Sequence, residues 1–273
     1  MTRTYSLGYL TVGGLEPSAQ IYVAAAAGYD HVGIRPIPMG LPGEPKLDIA
    51  HEPRLLENCR IALADTGITV NDLELARVMD GVDYEDYRPA LEVGASLGAK
   101  VVITSVWNTE RERQVEGLAT VARLAADYGL SVVAEMVALS PVRSLTEMRH
   151  LVEQAGAPNL GLLVDVYHWF RSGDTAEDVA SLPPGWLPMI HLCDLPVEKP
   201  ESMEELREEV REHRLYVGEG DAPISELVAA LPEDTVMAIE QPHLERLTTL
   251  GPVEYAARAL RAAKKALEPL AVH

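Results

Sequence analysis

Four ionisable residues interrupt apolar segments late in the sequence, where charge is expensive to bury. They are Glu135 in SVVAEMV, Asp165 in LGLLVDVYHW, His191 in MIHLCDL and Glu240 in TVMAIEQP. Each segment is short and rich in Val, Ile or Leu, which is typical of a buried parallel strand. An ionisable side chain costs free energy there unless it is paired or binds a metal. Three carboxylates and one imidazole therefore indicate a site for one divalent cation, such as Mn²⁺, Mg²⁺, Co²⁺ or Zn²⁺.

Eight apolar, β-branched segments recur along the chain and alternate with segments of helical periodicity. The strand-like segments are 5–10, 31–36, 69–75, 100–106, 131–137, 160–167, 189–195 and 235–241. The segment 53–66 illustrates the helical pattern, because it begins with Pro and is followed by Gly67. One unit recurs about every 34 residues, which favours a single (β/α)₈ barrel domain spanning 1–273.

An open, doubly wound α/β sheet is the alternative fold for the same alternation of elements. That fold more often has a glycine-rich fingerprint directly after its first strand. The corresponding segment here, GYLTVGGLEP, does not follow the G-x-G-x-x-G spacing. The sequence therefore favours the closed barrel.

One segment after the seventh strand breaks this alternation. An insertion spans about 196–213, and its highly charged residues 201–213 predict an extra helix. The helix is either a solvated surface element or a cap beside the barrel mouth, where the loops after the strands carry function. At that mouth the four ionisable residues would converge from strands five to eight, because neighbouring strands are only about 4.8 Å apart.

The motifs between residues 130 and 242 resemble those of a known superfamily. Their order, E…DVYH…IHLCD…RLYVGEGD…IEQP, is similar to the xylose isomerase-like TIM barrels. This superfamily includes sugar (phosphate) isomerases and epimerases, hydroxypyruvate isomerase, and inosose and dehydroshikimate dehydratases. The resemblance implies that Glu135, Asp165, His191 and Glu240 bind one divalent metal, with Mn²⁺ the first expectation. It also implies a sugar isomerase or epimerase that removes a proton next to a carbonyl polarised by the metal.

In the ketose 3-epimerases of this superfamily, the first and last metal-binding glutamates also transfer the proton. The resemblance assigns that role to Glu135 and Glu240, one removing the proton and the other returning it. It also suggests substrate contacts for His168, in the pattern D-x-x-H, and for Arg214. The Arg214 motif R-x-x-V-G-E-G matches the R-x-x-P-G-x-G element of relatives.

Several further residues follow predicted strands and could line the mouth. Arg35 could hold a carboxylate or phosphate, and Trp107 could stack on a sugar or ring. Packing or a surface ion pair would explain either residue equally simply. Weaker candidates of the same kind are Glu74, Arg77, Asn108, Tyr167, Trp169 and His243.

Two features depart from the pattern of simple ketose epimerases. Many relatives have a polar residue two positions after the first metal glutamate, where this sequence has Val137. The segment between His191 and Arg214 is also longer than in simple epimerases. Both differences favour a bulkier, partly apolar or cyclic polyol substrate over a free ketose.

Three other functions remain open from the sequence. A dehydratase on the same barrel would also begin by removing a proton next to a carbonyl, and His168 could assist the leaving hydroxyl. An endonuclease IV-like enzyme would need more histidine ligands and a basic surface. The net charge of −19, from 23 basic and 42 acidic side chains, argues against that reading. A non-catalytic barrel that binds a partner would be expected to hold no metal.

Composition also bounds the partners and the cellular compartment. The acidic surface argues against nucleic acid and against an anionic membrane, and the sequence lacks an apolar run of about 18 residues. The N-terminal residues do not have the pattern of a signal peptide, and Cys59 and Cys193 are far apart in the sequence. These features predict a cytoplasmic enzyme that acts on small-molecule carbohydrates, either as a monomer or as a homo-oligomer.

Overall fold

A computed structural model describes residues 3–40, 44–45, 47–183 and 185–267. Its eight strands are all parallel and form a closed barrel in chain order, which confirms the predicted fold. The strands are β1 (Tyr5–Leu7), β2 (His31–Ile34), β3 (Thr69–Leu73), β4 (Val101–Ser105), β5 (Ser131–Glu135), β6 (Leu160–Asp165), β7 (Met189–Leu192) and β8 (Val236–Ile239).

Helices surround the barrel and connect its strands. They are α1 (Pro17–Ala27), α2 (Pro53–Thr66), α3 (Arg88–Ser96), α4 (Arg111–Ala126), α5 (Leu145–Ala155), α6 (Val166–Ser172), α7 (Ala176–Ala180), α8 (Met203–Glu212), α9 (Ile224–Ala229), α10 (Leu244–Leu250) and α11 (Pro252–Leu267). Gly67 ends α2 with φ 73°, a conformation that favours glycine. None of the helices in the described ranges has both the length and the apolar composition needed to cross a bilayer.

The apolar core has two layers. One lies between the strands and the surrounding helices, and the other fills the barrel interior with Val101, Ile103, Val133, Leu163, Met189 and Ala238. Interior packing of this kind is normal for the fold, whose barrel is a core and not a pore. The polar residues of the candidate site lie above this interior layer, where the strands end.

The predicted extra helix is present as α8, between β7 and β8. Most of its side chains are exposed, but Val210 is buried and Glu209 is largely buried. The Glu209 carboxylate accepts hydrogen bonds from Tyr167 Oη at 2.7 Å and from Arg171 Nη2 at 2.6 Å. The insertion is thus a surface helix whose inner side is hydrogen-bonded to α6, the helix that directly follows β6.

Candidate metal centre

The barrel brings the four predicted metal-binding residues to one end. Glu135 and Asp165 are the last residues of β5 and β6, His191 lies in β7, and Glu240 directly follows β8. Asp165 pairs with His191 in the strand register, and His191 pairs with Ala238 of β8. The four side chains therefore come from consecutive strands, at the carboxyl ends where TIM barrels carry their active sites.

The side chains are close enough to share one ion. Each offers a ligand atom, and these atoms all lie within 4.8 Å of one another. From Nδ1 of the imidazole, the nearest carboxylate oxygens are at 3.5 Å in Glu135, 3.7 Å in Asp165 and 3.3 Å in Glu240. Two ligands about 2.1 Å from a metal at the tetrahedral angle are separated by about 3.4 Å. The spacing of the carboxylate oxygens around Nδ1 is therefore compatible with a coordination sphere.

The imidazole of His191 shows that these residues fit a metal. The residue is 1% exposed, and neither ring nitrogen has a hydrogen-bond partner among the described residues. A buried polar atom without a partner is costly, so it usually indicates a missing ligand or water. A divalent cation would satisfy the imidazole and neutralise part of the surrounding negative charge. Nitrogen and oxygen donors of this kind suit Mn²⁺, Co²⁺ and Zn²⁺, and Mg²⁺ less well.

The guanidinium of Arg214 forms ion pairs with two of the three carboxylates. Its Nη1 lies 2.7 Å from Oδ2 of Asp165 and 3.2 Å from Oε2 of Glu240, and its Nε donates to the Val210 carbonyl at 3.0 Å. The side chain is 2% exposed. The structure thus engages Arg214 with metal-site residues, and the predicted contact of Arg214 with substrate stays a prediction.

Burial disfavours the charged form of every ionisable group in this cluster, and the neighbouring charges then decide whether each pKa is raised or lowered. For Asp165, Arg214 outweighs burial and holds the pKa well below its usual range. For Glu240, His191 and Arg214 outweigh burial, so the pKa is lowered. Burial alone would lower the pKa of His191, but Glu240 and the other carboxylates raise it well above its usual value. Burial dominates for Glu135 and raises its pKa to about 7. A metal held by these residues would therefore compete with a proton for His191.

His168 is held in place by the start of α6. Oδ1 of Asp165 accepts hydrogen bonds from the backbone amides of Tyr167 at 2.7 Å and His168 at 3.3 Å. This cap explains the D-x-x-H spacing, because it fixes the histidine one helical turn beyond the metal-site aspartate. The Ala138 amide donates to Nδ1 of His168 at 3.3 Å, so the ring proton resides on Nε2. Burial lowers the pKa of His168 to about 4, which keeps the ring neutral.

A second polar cluster lies after β1, β2 and β3. Nη2 of Arg35 donates to Oε2 of Glu74 at 2.6 Å, and the guanidinium stacks 4.1 Å from the ring centre of Tyr9. Burial raises the pKa of Glu74 to about 8, although Arg35 opposes this shift. The structure therefore places Arg35 at the mouth, in an ion pair with Glu74.

Trp107 follows β4 and is partly buried. Its Nε1 donates to Oγ of Ser105 at 2.9 Å, and Ser105 pairs with Glu135 in the strand register. The indole therefore lies beside the metal-site end of β5. Stacking of Trp107 on a substrate ring stays a prediction. Val137 is buried, so the segment after Glu135 is apolar as the sequence indicates.

Asp72 in β3 is a buried carboxylate that the sequence reading did not single out. It is 0% exposed, and Oδ2 has no hydrogen-bond partner within the described part of the chain. Burial raises the pKa of Asp72, and His191 partly opposes the shift. The polar residues inside TVNDLEL were the available signal, because a fully apolar strand would have none.

A family model for xylose isomerase-like TIM barrels matches residues 21–266. The chain belongs to this family. The match covers most of the barrel and all four candidate metal-binding residues, and it confirms the resemblance seen in the motifs. None of the curated proteins matches the sequence at a significant level.

Solved structures of xylose isomerase-like barrels superpose along nearly the whole chain. A structure of IolI protein with a bound zinc atom is 17% identical, with a TM-score of 0.81 and coverage of 97% of this chain and 98% of that one. A xylose isomerase domain protein from Alicyclobacillus acidocaldarius subsp. acidocaldarius is 22% identical, with a TM-score of 0.75 and coverage of 98% and 99%. D-allulose 3-epimerase from Methylomonas sp., in complex with D-allulose, is 18% identical, with a TM-score of 0.68 and coverage of 97% and 98%. At these identities the likeness establishes the fold alone.

Proposed function

We propose that this chain is a divalent-metal-dependent sugar isomerase or epimerase. It would move a proton on the carbon next to a substrate carbonyl. One observation carries the proposal: the imidazole of His191 is buried among three carboxylates, and neither of its nitrogens has a hydrogen-bond partner among the described residues, at the catalytic end of a TIM barrel. The sugar epimerase and the zinc-containing protein among the structural relatives support the same reading.

The ligands would be Glu135, Asp165, His191 and Glu240, with Mn²⁺ as the expected ion and Mg²⁺, Co²⁺ or Zn²⁺ as alternatives. When bound, the cation supplies Lewis-acid polarisation of the substrate carbonyl, which makes the neighbouring C–H more acidic. The protein contributes a buried, preorganised set of donors, in which Arg214 holds Asp165 and Glu240 in position.

Glu135 and Glu240 would carry the proton. They come from β5 and from the residue after β8, so two strands separate them and they approach the centre from different sides. A carboxylate has two oxygens, so each glutamate could bind the ion through one and transfer a proton through the other. The Nε2–H of His168 would donate a hydrogen bond to a substrate oxygen.

The proposed substrate is a small sugar or cyclic polyol that contacts Arg35, His168, Trp107 and Arg214. The D-allulose complex of a structural relative supports a substrate of this size. The absence of a nucleic-acid partner, the homo-oligomeric state and the cytoplasmic location stay predictions.

The test combines metal binding with proton exchange. The purified chain, loaded with Mn²⁺, should exchange the hydrogen next to the carbonyl of ketohexoses or keto-cyclitols with solvent deuterium. Glu240→Gln should slow this exchange by at least about 100-fold, because a carboxamide cannot accept the proton. An unsaturated product absorbing in the near ultraviolet would instead support the metal-dependent dehydratase of the dehydroshikimate or inosose type. No metal binding, or full activity of Glu240→Gln, would refute the proposal.

A further inference from the structure

The mouth of the barrel has two polar clusters on different strands. The candidate metal-binding residues come from β5 to β8. Arg35 and Glu74 directly follow β2 and β3, and Tyr9 is the second residue after β1. The barrel closes between β1 and β8, so the second cluster begins next to Glu240. A Cβ atom at Gly8, the residue before Tyr9, would lie 3.1 Å from Cβ of Glu240, so the second cluster adjoins the candidate metal-binding residues.

The second cluster has one hydrogen-bond donor and one acceptor to spare. Nη2 of Arg35 and Oε2 of Glu74 are paired at 2.6 Å. Nε of Arg35 and Oε1 of Glu74 are also buried, and neither has a hydrogen-bond partner in the described ranges. The side chains are 9% and 4% exposed, and the Tyr9 ring fixes the guanidinium by stacking on it. Buried groups of this kind are normally satisfied, so a molecule at the mouth would be expected to supply their partners.

A hydroxyl group has the chemistry that these two groups require. It accepts a hydrogen bond through oxygen and donates one through its proton. A hydroxyl can bond to both groups whether or not Glu74 carries a proton, whereas an ionised phosphate or carboxylate, which only accepts, would bond to Arg35 alone whenever Glu74 is ionised. The one guanidinium of this cluster is already paired with Glu74. The next cation along the chain, Arg77, donates to the Met39 carbonyl instead.

The charge around the mouth also disfavours a phosphate group. The residues of the two clusters and β3 carry more carboxyl groups than guanidinium groups. The guanidinium groups are those of Arg35 and Arg214, and the carboxyl groups are those of Asp72, Glu74, Glu135, Asp165 and Glu240. A divalent cation would leave this set close to neutral, so a phosphate dianion would restore an excess of negative charge.

The position where TIM barrels most often bind phosphate is also unfavourable for a phosphate group in this chain. In many TIM barrels the loops after strands 7 and 8 bind phosphate at the N-terminus of a short helix. Here the loop after β7 leads into the segment 196–213, which contains seven glutamates and three basic residues. That segment repels a phosphate at the position where the fold most often holds one.

We propose that Tyr9, Arg35 and Glu74 form a subsite for the hydroxyl-bearing end of an uncharged polyol. This inference rests on the proposed function and names its substrate class. The substrate is then a free sugar or a cyclic keto-polyol, and a phosphate ester or sugar acid is excluded.

The first experiment measures solvent deuterium exchange by the Mn²⁺-loaded full-length protein. The substrates are D-fructose, D-allulose, a cyclic keto-polyol, and the 1-phosphate and 6-phosphate of fructose. We expect kcat/KM for the best uncharged compound to exceed that of either phosphate ester by at least about tenfold. Equal or faster exchange of an ester would overturn the subsite and leave the metal-dependent function intact. No exchange from any compound, with Mn²⁺ bound, would overturn the proposed function as well.

The second experiment tests the subsite residues directly. Glu74→Gln and Arg35→Met should each raise KM for the best uncharged compound by about tenfold, because each removes one partner of its hydroxyl. Mn²⁺ affinity should stay unchanged, since neither residue is a ligand. Arg35→Lys, which keeps the charge but removes the Nε donor, is the milder variant if Arg35→Met fails to fold. The matched control is Glu254→Gln, which alters an exposed ion pair on α11.

Two results of the second experiment would contradict the proposal. In one, the folded variants that still bind Mn²⁺ have the KM of the unaltered protein. In the other, Arg35→Met selectively abolishes turnover of a phosphate ester. The second result would show that Arg35 is an anion site.

Discussion

Glu135→Gln separates a metal centre from a purely structural ion cluster. In the metal-free protein, burial raises the pKa of Glu135 from 4.5 to about 7. An acid with a raised pKa in the folded state disfavours folding once it ionises, so its cost appears as the pH rises from about 4.5 to about 7. The shift of about 2.5 units corresponds to at most about 3 kcal/mol at neutral pH and above. The carboxamide removes this cost, and metal-free Glu135→Gln should be more stable than the unaltered protein.

The assay is urea denaturation of chelator-treated protein at several pH values. Near pH 4.5 the two proteins should have similar free energies of unfolding, and the difference should grow up to about pH 8. Glu254→Gln is the control, and an exposed substitution of this kind should change the free energy by no more than about 0.5 kcal/mol.

Adding Mn²⁺ should reverse the order of stability. The unaltered protein should gain about 2.7 kcal/mol at a free metal concentration of about 100 times Kd, whereas the variant has a weaker ligand and gains less. Destabilisation of metal-free Glu135→Gln at pH 8 would refute the reasoning. It would mean that Glu135 mainly stabilises His191 in a structural ion cluster.

Two further predictions concern the residues that support this centre. Arg214→Met should cost about 3–5 kcal/mol in urea denaturation, because Asp165 and Glu240 would lose their buried cation; a cost below about 1 kcal/mol would show that the pair is not needed. Glu209→Gln should loosen α8 by about 1–3 kcal/mol, seen as faster amide hydrogen exchange in Met203–Glu212. Glu208→Gln, which alters only an exposed contact with His213, should leave that exchange unchanged, and equal effects of both changes would contradict the anchoring role.

The cluster of four candidate metal-binding residues could be predicted from the sequence, because the free-energy cost of burying ionisable side chains is visible there. An ionisable residue inside an apolar, β-branched segment needs a partner, and four such residues in successive strands limit what that partner can be. The C-terminal end of β6 was harder to predict from the sequence. The sequence predicts a strand over 160–167, but β6 ends at Asp165, whose side chain caps the following helix through two backbone amides. This cap can be recognised only once the start of the following helix, α6, is known.

The interior of β3 shows what the sequence could not provide. The pairing of β2 with β3 shifts by one residue between Val32 and Gly33, so the inward-facing positions of β3 do not follow simple alternation. A Cβ atom at Gly33 would lie 2.5 Å from Oδ2 of Asp72, so the buried carboxylate depends on a glycine in the neighbouring strand. Such a contact between strands is set by register, which the sequence of either strand alone does not contain.

The insertion after β7 connects to the metal centre by two routes that meet at Asp165. One route runs from Glu209 to Tyr167 and Arg171, both in α6, the helix that Asp165 caps. The other runs from the Val210 carbonyl through the guanidinium of Arg214 to Oδ2 of Asp165. Because both contacts begin on adjacent residues of α8, a movement of this helix would alter both carboxylate oxygens of Asp165, a candidate metal ligand. The helix is therefore expected to affect metal affinity as well as substrate access.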